Sequence, residues 1–65
     1  MTKLTKIFTI NQKTGCYIEL KKKVWTTTEY IIIHKSEIKI IGNDIFINNK
    51  TLQKHANFFR NVKSI

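Results

Sequence analysis

Through much of residues 4 to 48 apolar side chains recur at every second position, and from Asn49 onward they recur at spacings of three and four. A strand shows one face every second residue and a helix every three to four. The chain is therefore predicted to be α+β, with strands first and one helix last. Lys3 to Ile10 reads as a strand with Leu4, Phe8 and Ile10 on one face and Thr5, Ile7 and Thr9 on the other; Lys6 interrupts the first face. Asn11 to Gly15 reads as a five-residue hairpin loop, with Gly15 where a positive φ is needed. Cys16 to Lys21 returns as a second strand, setting Cys16, Ile18 and Leu20 inward against Tyr17, Glu19 and Lys21.

Val24 to His34 is almost wholly β-branched or aromatic, the strongest strand signal in the chain and the expected central strand. Because Tyr30 to Ile33 is apolar on both faces, this part is expected to be covered by the helix on one side and by another sheet or subunit on the other. His34 to Glu37 reads as a tight turn into Ile38 to Ile41, and Gly42-Asn43-Asp44 turns again into Ile45 to Asn48. Leu52, His55 or Ala56, Phe59 and Val62 form the helical stripe, with Thr51 or Asn49 as N-cap. Phe58 and Phe59 are adjacent, so on a helix at least one should rim the core. The expected architecture is a small antiparallel sheet or partly open barrel of about five short strands, with one C-terminal helix packed on it.

At 65 residues this is a single domain that hides only about 60% of the surface its unfolded form exposes. Marginal stability follows, and a homodimer is one way to bury more apolar area. The one cysteine, Cys16, is expected to pack as a small apolar residue in a reducing, cytoplasmic compartment. The longest apolar run, Tyr30 to Ile33, is far below the roughly 20 residues of a membrane span, so no membrane partner is expected. Residues 1 to 10 lack the continuous apolar stretch of a secretory segment.

The net charge is +8, from 12 Lys and Arg against 4 Asp and Glu. Abundant Ile, Lys and Asn point to an AT-rich gene, of the kind found in phage and mobile elements. AT-rich coding inflates Glu as well as Lys, yet Glu is scarce here, so the acidic deficit calls for a physical cause. A surface of one sign repels itself, which an anionic partner relieves. The basicity is uneven: about +5 in residues 1 to 23, about −1 in 24 to 48 and about +4 in 49 to 65. If the first hairpin and the helix lie side by side, Lys3, Lys6, Lys13, Lys21, Lys22, Lys23, Lys54, Arg60 and Lys63 face phosphates together. The Lys21-Lys22-Lys23 run has the alternative of a solvated turn.

Aromatic rings sharpen such a patch by stacking on bases. Trp25, directly after Lys22-Lys23-Val24, and Tyr17 are the candidates, although for Trp25 a place in the core is weighed ahead of contact because a domain this small can hardly spare its largest apolar side chain. A basic hairpin, then Lys22-Lys23-Val24-Trp25, a short meander and a C-terminal helix resembles the layout of the small archaeal chromatin proteins. The resemblance concerns architecture, and no site residue is carried over from it.

Three functions are compatible with these residues. First comes a non-enzymatic DNA- or RNA-binding protein needing no cofactor. Second is a phage-type inhibitor of a host protein, favoured by the density of Ile on both sheet faces. Third is a small metal-independent ribonuclease with His34 or His55 as general base. One Cys, two His and four carboxylates show no metal-ligand spacing, and Gly15 and Gly42 cannot form a Gly-rich phosphate loop.

Overall fold

The computed structural model describes residues 1–60. Six strands, β1 (Thr2–Lys3), β2 (Phe8–Thr14), β3 (Tyr17–Val24), β4 (Thr27–His34), β5 (Ile38–Ile41) and β6 (Asp44–Ile47), precede one helix, α1 (Asn49–Lys54). They form two antiparallel three-stranded sheets, β2-β3-β4 and β1-β6-β5. The α+β content is as expected, but two sheets replace the single five-stranded sheet or barrel.

The split arises inside the segment read as one strand from Lys3 to Ile10. Thr2 and Lys3 pair with Ile47 and Phe46, and the Leu4 N–H donates to the Ile45 carbonyl at 2.8 Å. The chain then turns at Lys6 and Ile7 and joins the other sheet at Phe8. Leu4 and Phe8 are both buried, so the expected apolar face survives while Lys6, which interrupted it, lies in the turn.

Three two-residue hairpin turns follow. The first closes Thr14 against Tyr17 around Gly15 and Cys16, so Asn11 to Thr14 is strand and not loop. Its register slips between Ile10 and Gln12, leaving Asn11 as a bulge. Cys16, expected inside, is exposed because a two-residue turn projects beyond the sheet it closes. The second turn pairs Val24 with Thr27 around Trp25 and Thr26, breaking the segment expected to be one central strand; β3 is the central strand instead. The third pairs Ile41 with Asp44 around Gly42 and Asn43.

The inward faces of both sheets and the segment after α1 enclose the core, which contains Leu4, Phe8, Ile18, Leu20, Ile33, Ile38, Ile45, Ile47, Phe58 and Phe59. The helix is shorter than its apolar stripe implied. It is capped by Asn48, whose side chain accepts from the Lys50 N–H at 2.8 Å, while Thr51 is buried. Helical geometry ends at His55 (φ −117°, ψ 46°). Freed from helical spacing, Phe58 and Phe59 both turn inward, with ring centroids 5.7 and 5.5 Å from Phe8 and 5.0 Å from each other. Val62 lies outside the described residues. Since α1 has only six residues, its cap carries much of it: Asn48→Ala is expected to lower stability by about 1 kcal/mol, measured by urea denaturation.

Candidate nucleic-acid interface

Alternation along β3 fixes which side chains reach solvent. Ile18, Leu20 and Lys22 point into the core, so Tyr17, Glu19, Lys21 and Lys23 point out. On β4 their partners in register are His34, Ile32, Tyr30 and Thr28, which are all exposed. Among the described residues nothing covers this outer face of β2-β3-β4. The expectation that Tyr30 to Ile33 is covered on both sides is therefore corrected: Ile33 is buried, whereas Tyr30 and Ile32 are 54% and 62% exposed.

At one end of this face, Lys6, Ile7, Thr9, Lys21, Lys23 and Trp25 line a concavity of about 540 Å³. Trp25 is 92% exposed, which removes the core alternative. It is also the one non-glycine residue with positive φ, 58°, among those described. The same first turn position in the other two hairpins is held by Gly15 (φ 56°) and Gly42 (φ 59°). Only the first turn residue has positive φ, a sign pattern that favours glycine there. A side chain in this region costs about 1–2 kcal/mol. The largest apolar side chain thus sits where glycine fits best and where burial returns nothing.

At the other end, Gln12, Thr14, Tyr17, Glu19 and Ile32 line a second concavity of about 320 Å³. The Tyr17 ring meets His34 edge-on, with centroids 5.5 Å apart, and Glu19 Oε1 accepts from Asn11 Nδ2 at 2.6 Å. Glu19 is the only acidic residue on this face, since Glu29 points inward opposite Lys22 and Glu37 and Asp44 lie beyond the sheet.

The structure gathers only part of the expected basic set. Lys6, Lys21 and Lys23 converge beside Trp25. Lys22 does not: it is 1% exposed. Its Nζ donates to the Phe58 carbonyl at 2.7 Å, lies 3.3 Å from Glu29 Oε1 and sits 5.1 Å from the Phe58 ring centroid. This lysine is a core residue with no group left for phosphate, and the lysine run is neither a solvated turn nor a contiguous patch. Lys3 belongs to the other sheet and pairs with Asp44 at 3.5 Å. Lys13 lies near the Gly15 end with Lys35. Lys54 closes α1, and Arg60 is held by Glu29 at 3.5 Å and the Asn57 carbonyl at 2.9 Å. Lys63 lies outside the described residues.

Tyr30 and Ile32 are the face residues that sequence reasoning missed. Their signal was available: the outward positions of β3 are polar or amphipathic, and β4 pairs with them residue for residue. Of the histidines, His34 Nδ1 accepts from the Ser36 N–H at 3.1 Å as the start of a 3₁₀ turn, and His55 ends α1. Among the described residues no three His, Cys, Asp or Glu side chains form a possible metal site. No helix there is long and apolar enough to cross a membrane. Comparison with protein-family models, curated proteins and solved structures finds no match.

Proposed function

We propose that this is a non-enzymatic nucleic-acid-binding protein whose interface is the outer face of β2-β3-β4. The observation that supports it most directly is Trp25: it is exposed, held in a costly backbone conformation, and surrounded by Lys6, Lys21 and Lys23. Unusual backbone geometry held at a tip is a feature of functional positions. A flat ring beside three ammonium groups has the chemistry that stacks on a base while neutralising its phosphates.

The test is fluorescence of Trp25, the only tryptophan, during titration with DNA and RNA at several salt concentrations. Quenching is expected, with the logarithm of the association constant falling linearly in log salt. Three contacting lysines correspond to a slope of about −2 on single strands and nearer −3 on duplex. Absence of quenching and of binding at low salt would sink the reading. It would shift weight to a protein partner or a second copy of this chain. That alternative is favoured by the exposure of Ile32, Tyr17 and Tyr30 on one face.

A further inference from the structure

We infer that the ligand of this face is an extended single strand, laid along β3, with one base held in the Tyr17–Ile32 concavity and read by Glu19. This inference rests on the nucleic-acid reading and narrows it. Trp25 and Tyr17 stand at opposite ends of the face, eight residues apart in sequence, a span of about 26 Å at roughly 3.3 Å per residue. Tyr30 lies between them opposite Lys21. Rings spread along one line can stack only on bases whose faces are free, and in a duplex those faces are taken by neighbouring base pairs.

Charge placement along the same line agrees. On the outer face itself Lys6, Lys21 and Lys23 lie at the Trp25 end and Glu19 at the other, while Lys13 and Lys35 flank the Gly15 turn from the inner side. A duplex lying across the face would bring a phosphate row onto Glu19, whereas a single strand can turn a base edge toward it. Asn11 orients that carboxylate, which retains further acceptor sites on its two oxygens. Guanine presents two adjacent donors, N1–H and N2–H, on its Watson–Crick edge, matching the two oxygens of a carboxylate. Thymine and uracil present one N–H between two carbonyl oxygens, which a carboxylate repels. The pocket therefore favours guanine over thymine or uracil. Tyr17 and Ile32 supply the apolar walls and Gln12 and Thr14 the remaining polar groups.

The experiment compares three end-labelled DNA ligands of about 12 nucleotides, within the site sizes of small sheet-based binders, by anisotropy at low salt. They are a thymine-only strand, the same strand with guanine at every third position, and a duplex of mixed sequence. Both single strands are expected to bind at least tenfold more tightly than the duplex. The guanine-bearing strand is expected to exceed the thymine strand five- to tenfold, a preference that Glu19→Ala abolishes while thermal unfolding by circular dichroism confirms that the variant folds. Duplex binding equal to or tighter than single-strand binding overturns the inference and leaves the broader reading standing. Equal binding of the two single strands by the unaltered protein overturns the role of Glu19 without recourse to any variant. Failure of all three ligands to bind overturns the nucleic-acid reading itself.

Discussion

Lys22→Ala is expected to destabilise the protein by about 2–5 kcal/mol, the range for truncating a long buried side chain to Ala. At about 0.05–0.15 kcal/mol per residue, a chain of this length has about 3–10 kcal/mol in total, so the variant should lose a large share of its stability. Three losses combine. The lysine stem leaves a void beside Phe8, its neighbour across the sheet. The Phe58 carbonyl, which accepts from Nζ at 2.7 Å, becomes a buried acceptor without a donor among the described residues. Among the described residues Glu29 keeps only the exposed Arg60 guanidinium at 3.5 Å. Lys22→Met separates these contributions, since it retains the stem and loses only the polar contacts; about 1–3 kcal/mol is expected. Lys23→Ala, at an exposed neighbouring position, should change stability by less than about 0.5 kcal/mol. Urea denaturation of the three variants decides the matter. A Lys22→Ala variant as stable as Lys23→Ala would place Lys22 on the surface and return it to the basic face.

The binding data should divide the same way. Lys22→Met is expected to leave the salt dependence of nucleic-acid binding unchanged, because a lysine without solvent contact releases no counterions. Lys23→Met should reduce the slope by about 0.7–0.9. On the proposed reading, neighbouring lysines of one run would separate into one that holds the fold and one that meets the ligand.

The inward place of Lys22 was legible in the period and hidden by the residue type. Continuing the inward series Ile18, Leu20 by two residues lands on Lys22, but a lysine at an inward position reads as the end of the pattern, because lysine is almost never fully buried without partners. Those partners, Glu29 and the Phe58 carbonyl, come from distant parts of the chain, and no local signal announces them. The hairpin at Trp25 was hidden for a related reason. Gly15 and Gly42 marked their turns by residue type, whereas Trp25 occupies the equivalent position with the wrong one, so the turn was read at the preceding lysine run instead. The helix was overread in the opposite sense. Phe59 does follow His55 through one backbone hydrogen bond of 3.1 Å, so part of the helical spacing is real. The packing of both Phe58 and Phe59 on Phe8 then outweighs continued helix, which would have turned one of them away. The basicity of the first 23 residues was legible as a total, but its partition between core, ion pair and open face depends on register.

Trp25→Gly is expected to move stability and binding in opposite directions, the second large effect. Relief of the positive-φ cost, about 1–2 kcal/mol, is partly offset by the added freedom glycine gives the unfolded chain, about 0.4–1 kcal/mol. The net gain should be on the order of 0.5–1 kcal/mol, or a rise of about 3–6 °C in Tm for a domain of this size. No burial is lost, since the indole is 92% exposed. Binding, followed through a labelled oligonucleotide because the variant has no tryptophan, should weaken on the order of 10- to 100-fold, consistent with about 1–3 kcal/mol per stacked base. A structural role for the indole would give the reverse pair of signs: lower stability, with binding changed only as far as unfolding removes protein. Higher stability with unchanged binding would mean that the strained turn has no part in recognition, and the face would then have to work through Tyr17 and Tyr30 alone. A more stable protein that has lost its ligand is the outcome that joins the backbone conformation to function. It would mean that a glycine position has been given up so that an aromatic ring can stand clear of the sheet.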